Sequence, residues 1–108
     1  MKKFQARQGD IFFRIVKKPA GLAKLKPLGS KILAFGEVTG HSHQITSANE
    51  VASFVDEKGD IYLFSAEETV VGHDEHSNIT LPKGSWVCVT RQREYDPLAA
   101  EKERKVAD

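Results

Sequence analysis

Val51-Ala52-Ser53-Phe54-Val55-Asp56-Glu57-Lys58-Gly59-Asp60-Ile61-Tyr62-Leu63-Phe64-Ser65 decides the fold. Two runs rich in β-branched and aromatic residues flank a polar loop that carries one glycine, which is the pattern of a β-hairpin. The same punctuation repeats in both directions. Upstream, Gln8-Gly9-Asp10 opens a strand over Ile11 to Lys17, which Lys18-Pro19-Ala20-Gly21 ends. Residues 22–30 mix lysines with leucines and Pro27 and suit a loop or one short helical turn. A second strand is expected from Lys31 to Val38, stopped by Thr39-Gly40, and His41 to Ile45 continues as extended chain or begins another. Downstream, Glu68 to Val71 and Asn78 to Leu81 are short strands. Pro82-Lys83-Gly84 then turns the chain into a last long strand from Ser85 to about Glu94. Only the end looks helical, with Asp96 as a cap, Pro97 at the first helical position and residues 98–107 rich in Ala, Glu, Lys and Arg. The expectation is one all-β domain over residues 1–108, a small barrel or sandwich with a short C-terminal helix.

The composition narrows the functional classes. Hydrophobic residues make up 40% and charged residues 29% of 108, a balance that belongs to a globular chain. Net charge is +1 with neutral histidines, so the molecule as a whole has no strong pull on nucleic acid or membranes. The single cysteine, Cys88, excludes an intramolecular disulfide and reads as a small buried hydrophobe within a strand. The apolar run Ile11 to Val16 is short and broken by Arg14. It fits neither a signal sequence nor a membrane span, which makes a cytoplasmic location the default expectation.

The chemistry lies in the histidines. All four fall into two pairs, Gly40-His41-Ser42-His43 and Gly72-His73-Asp74-Glu75-His76. Residues two apart on a strand share a face, so His41 and His43 can hold their imidazoles side by side. His73 and His76, three apart, are brought together by a tight turn. The hairpin between the pairs can set them on neighbouring strands. Neutral imidazole is a borderline-soft ligand that suits zinc, nickel, iron and copper; zinc is the first choice of cofactor, with nickel, iron or manganese as others. Four histidines could close a shell, or three could bind and leave a position for water. Asp74 or Glu75 could add a ligand, orient an imidazole or act as a general base, and the longer Glu75 suits the base. The blander alternative is that the pairs are polar turn residues.

Two weaker patterns accompany them. On the last strand Val87, Val89, Arg91 and Arg93 share one face, so Arg91 and Arg93 could clamp a small anionic substrate beside the metal. The alternative, two solvated arginines at the sheet's end, is the more ordinary one. Lys2, Lys3, Lys17, Lys18, Lys24, Lys26 and Lys31, with Arg7 and Arg14, face one acid, Asp10, in the first third, and Phe4, Phe12 and Phe13 lie among them. That suits a nucleic-acid surface, or more commonly core phenylalanines with a lysine-protected edge. An exposed edge strand could also pair two copies of the chain.

Gly36-Glu37-Val38-Thr39-Gly40-His41-Ser42-His43, His73-Asp74-Glu75-His76, Leu81-Pro82-Lys83-Gly84 and Arg91-Gln92-Arg93-Glu94-Tyr95-Asp96-Pro97 together resemble a family of small bacterial and phage-associated proteins of unassigned function. The resemblance implies a stand-alone domain and carries no activity. A broader likeness is to the cupins, small β-barrels whose first motif carries H-x-H, as His41 and His43 do. Cupins place a glutamate four or five residues after the second histidine, where this chain has Glu50 seven after His43. They also place a histidine after P-x-G, whereas His76 precedes Pro82-Lys83-Gly84. The likeness implies a barrel with metal-binding histidines and no particular reaction. The functional expectation is a transition-metal-binding protein, in one version a metal-dependent hydrolase. The alternative is a non-catalytic binding module for protein or nucleic acid, with a structural metal or none.

Overall fold

The structure, a computed structural model, describes residues 4–35 and 41–91. The expected C-terminal helix, Arg93, and the far ends of the strands anticipated to Val38 and Glu94 lie outside these residues. Ten strands are described: β1 (Gln5–Gln8), β2 (Ile11–Val16), β3 (Lys26–Pro27), β4 (Ile32–Phe35), β5 (Ser42–Ile45), β6 (Ala52–Val55), β7 (Ile61–Phe64), β8 (Thr69–Gly72), β9 (Ile79–Leu81) and β10 (Trp86–Arg91). They form two antiparallel sheets, a six-stranded one in the order β1-β2-β10-β7-β6-β3 and a four-stranded one in the order β4-β5-β8-β9. Among the described residues no strand pairing closes the sheets into a barrel, so of the two expected architectures the arrangement fits the sandwich.

The core is built from residues that alternate along the strands, as read in the sequence for Val87 and Val89 of the last strand. Ile61 and Leu63 of β7, Ile11 and Phe13 of β2, and Val87 and Val89 of β10 point inward from the larger sheet. They meet Leu33, Ile45, Val71 and Leu81 from the smaller one. Each fully buried side chain of this kind contributes about 1.5–3 kcal/mol. Cys88 is buried as expected, and burial pushes its thiol pKa up, so it stays protonated and inert. Trp86, Phe54 and Phe64 form a half-buried cluster of their own on the opposite face of the larger sheet, with the Phe54 and Phe64 ring centroids 6.1 Å and 5.3 Å from the indole.

Two elements differ from the sequence reading. Gln5–Gln8 forms β1, the partner of β2 in a tight hairpin whose turn is Gly9-Asp10. Its Gln-Ala-Arg-Gln sequence has almost no hydrophobic alternation, because it is an edge strand held mainly by its ladder. Residues 22–30 contain a 3-10 turn, Leu22–Lys24, and the two-residue strand β3. Pairing with β6, rather than side-chain pattern, makes that strand.

Among the polar links between the sheets, two centre on side-chain amides. The Gln8 side chain, at the end of β1, donates to the carbonyl oxygens of Val71 at 3.1 Å and Ser77 at 2.8 Å. The Asn49 amide donates to the hydroxyls of Ser65, just past β7, and Thr69 of β8, both at 2.9 Å. The first of these links lies at the histidines.

Candidate metal centre

Strand pairing brings the two histidine motifs together. β5 and β8 are neighbours, with Gln44 opposite Gly72 and Ile45 opposite Val71. Continuing that register by one residue sets His73 across from His43, and their ring centroids are 4.4 Å apart. His73 is also 4.6 Å from His76 and 5.7 Å from His41, and the His43 and His76 rings lie 6.3 Å apart in near-parallel planes. All four imidazoles therefore occupy one cluster with His73 at its centre. Two imidazoles on one tetrahedral cation would hold their centroids about 5 Å apart, given metal–nitrogen bonds of about 2.0–2.1 Å. The observed separations bracket that value. As the side chains are placed, no three His, Cys, Asp or Glu residues among those described are set to hold a metal ion. The rings are neighbours, and their nitrogen atoms do not converge on one point.

The cluster has a buried wall and an open rim. His43 is 1% exposed, whereas His76, Asp74 and Glu75 lie on the exposed loop after β8. Burial first, then the neighbouring His73, push the His43 pKa from its usual 6.5 down to about 4, so this ring is neutral at pH 7. Its Nδ1 lies 2.8 Å from Gln8 Oε1. Its Nε2 lies 3.7 Å from Asp10 Oδ1. His73 is held differently: its Nδ1 accepts the backbone N–H of Glu75 at 3.0 Å, which leaves the proton of the neutral ring on Nε2. His41 sits between two carboxylates, with Nε2 3.7 Å from Asp74 Oδ2 and Nδ1 3.8 Å from Glu75 Oε1. That Nδ1 is buried and has no hydrogen-bond partner among the described residues.

Sequence reasoning named the four histidines, Asp74 and Glu75, and the structure brings all of them together. It missed the Gln8-Gly9-Asp10 turn, which forms the floor of the site. Gly9 has φ +63°, and a Cβ there would lie 3.0 Å from His76 Nε2 and 3.4 Å from His43 Cε1. The backbone thus favours glycine, and a side chain there would crowd the His76 ring. Asp10 adds a third carboxylate. The available signal was that Asp10 is the one acid in a basic third of the chain.

Arg91, for which solvation at the sheet's end was the more ordinary expectation, is exposed and lies beside Asp10. Its Nε is 3.2 Å from Asp10 Oδ2, and its Nη2 donates to the Phe35 carbonyl at 2.6 Å. Two of its donors are thereby occupied, and the side chain is half exposed. Phe35, beside it, is 68% exposed. Of the phenylalanines in the basic third, Phe13 is core, Phe4 packs against the core, and Phe12 lies on the outer face beneath the Arg7 guanidinium at 5.2 Å. No helix among the described residues is long and apolar enough to cross a membrane.

No curated protein and no solved structure matches the chain. The profile of a domain of unknown function, DUF8820, matches residues 7–92, a span that takes in Gln8 to Asp10, both histidine pairs and Arg91. The chain, with its whole candidate centre inside the matched span, belongs to this family.

Proposed function

We propose that the protein binds a divalent transition metal through His41, His43, His73 and His76, with zinc ahead of nickel, iron or manganese. One observation carries the reading: four imidazoles from two sequence motifs, using every histidine in the chain, share one cluster with centroid spacings of 4.4–6.3 Å. Isolated turn histidines would not be expected to converge across a strand pair. Three carboxylates around the rings add negative charge that favours a cation. Loading the site asks for side-chain rotation on the exposed loop, and it asks His73 to release its bond from the Glu75 N–H if it binds through Nδ1.

In the catalytic version a bound metal would supply an activated water at neutral pH. Glu75, whose carboxylate stands next to His41 on the open rim, would accept that water's proton. Arg91, beside Asp10 at the same mouth, would orient an anionic substrate. In the non-catalytic version the same ligands close a structural shell that pins the loop after β8 to β5.

Metal analysis of protein purified without a histidine tag tests the reading. Near-stoichiometric metal in the wild type, lost in a His41→Ala/His73→Ala double variant that keeps its β-sheet circular dichroism, is the expected result. No uptake by the wild type after reconstitution with zinc, nickel, iron(II) or manganese would reject it.

A further inference from the structure

The Gln8 amide has two N–H donors and one acceptor oxygen. Both donors are used, on the carbonyl oxygens of Val71 and Ser77, which cannot donate in return. The amide therefore has one workable orientation, and Oε1 is the atom that meets His43 Nδ1 at 2.8 Å. An amide oxygen can only accept, so Nδ1 must carry the proton. In the neutral ring the lone pair then belongs to Nε2. Both residues are 1% exposed, so no competing solvent contact loosens this arrangement.

The consequence appears at the other side of the ring. The Nε2 lone pair faces Asp10 Oδ1 at 3.7 Å, one acceptor against another. Arg91 Nε, 3.2 Å from the second Asp10 oxygen, holds the carboxylate there. Two electron-rich atoms set opposite each other repel, and a cation between them turns that repulsion into attraction. Two donors on one tetrahedral cation at about 2.0–2.1 Å stand about 3.4 Å apart, close to the observed gap.

We infer that the Gln8-Gly9-Asp10 turn is half of the metal centre, in which Gln8 is a positioning residue that fixes the Nε2 lone pair of His43 toward the cation and Asp10 is an oxygen donor facing it. This rests on the proposed metal site and deepens it, because it gives the shell a mixed nitrogen and oxygen character. Such a shell suits zinc, iron(II), nickel or manganese and disfavours copper(I), which prefers sulfur donors. Gly9 belongs to the same device: its lack of a side chain lets the turn lie against the His43 and His76 rings.

The test uses the full chain without a tag. Long-range proton–nitrogen correlation spectra of metal-free wild-type protein at pH 7.5 report which His43 nitrogen carries the proton. Protonated Nδ1 is expected, and a protonated Nε2 overturns the role of Gln8 whatever any variant does. Zinc titration by calorimetry then compares wild type with Asp10→Asn and Gln8→Leu, each checked for folding by circular dichroism. Loss of the carboxylate charge or of an orienting partner is expected to weaken zinc binding about 10–100-fold in either variant. Asp10→Asn binding within twofold of wild type overturns the donor role. If Gln8→Leu fails to fold, the wild-type spectrum still decides the role of Gln8. A wild type that takes up no zinc but carries its proton on Nδ1 overturns the donor role together with the metal reading, while Gln8 remains the residue that sets the ring.

Discussion

Gly9 and Gly29 share a left-handed backbone, with φ +63° and +69°, but differ in their surroundings. A Cβ on Gly29 would meet nothing within 4 Å, whereas one on Gly9 would press against the imidazoles of His76 and His43. Gly29→Ala should therefore cost about 1 kcal/mol, the backbone penalty alone. Gly9→Ala should cost about 1–3 kcal/mol and also weaken zinc binding. Urea unfolding and zinc titration of the two variants side by side check this, and equal effects on zinc would dissociate Gly9 from the site. His43 supplies a second test at this scale. Its folded pKa of about 4 lies below the ordinary 6.5, so between these values the unfolded chain binds the proton and the folded chain does not. Stability of the metal-free protein should accordingly fall as pH drops through that window. The His43 contribution between pH 7 and pH 5 is about 2 kcal/mol. His43→Gln, which does not titrate, should flatten the urea-midpoint profile there, and an unchanged slope would count against the buried neutral ring. The histidine spacing was legible in the sequence because two apart on a strand and three apart at a turn are local geometries. Gln8 and Asp10 were not, since a glutamine meets a histidine 35 positions away only after β1 and β5 have been placed in different sheets.

At the scale of elements, strands with a buried face were readable, the edge strands β4 and β9 of the smaller sheet among them, and the edge strands β1 and β3 of the larger sheet were not. β7 alternates Ile61 and Leu63 inward with Tyr62 and Phe64 outward, and β10 has Val87 and Val89 inward. Hydrophobic period sets both registers. β1 and β3 carry no such pattern and exist because β2 and β6 offer them hydrogen bonds. The β6–β7 loop was recognised by composition, and its mechanism is an aspartate-centred turn. Asp56 Oδ1 accepts the backbone N–H groups of Lys58 and Asp60, both at 2.9 Å, while Gly59 takes φ +91°. Removing that acceptor should release two backbone donors. Asp56→Ala is expected to lower stability by about 1–2 kcal/mol, measured by urea denaturation. Zinc binding should be unaffected in this variant, because none of the residues assigned to the centre belongs to that loop. A matching loss of zinc affinity would mean that the hairpin and the centre are coupled.

For the whole molecule, the decisive question is whether the metal holds the sandwich together or works within a sandwich that stands without it. The centre joins β1 and β2 of one sheet to β5 and β8 of the other, so a cation bound to His43, Asp10 and the loop histidines would tie the two sheets at one end. Another tie, from Asn49 to Ser65 and Thr69, needs no metal. The apolar core is likewise complete without one, with Phe13, Leu63, Val71 and Val87 each at most 1% exposed. These two facts argue that the metal-free chain folds and that metal adds to its stability by mass action. Free zinc at a hundred times its Kd should then contribute about 2.7 kcal/mol. For a domain of this size that is a rise in Tm of about 10–20 °C. Calorimetric scans with zinc, and again after excess chelator, measure it. A chelated protein with a cooperative, lower transition supports a metal working within a folded frame, as the catalytic version requires. A chelated protein with no transition at all would place the metal in the fold itself, and Glu75 would then stand beside a structural centre.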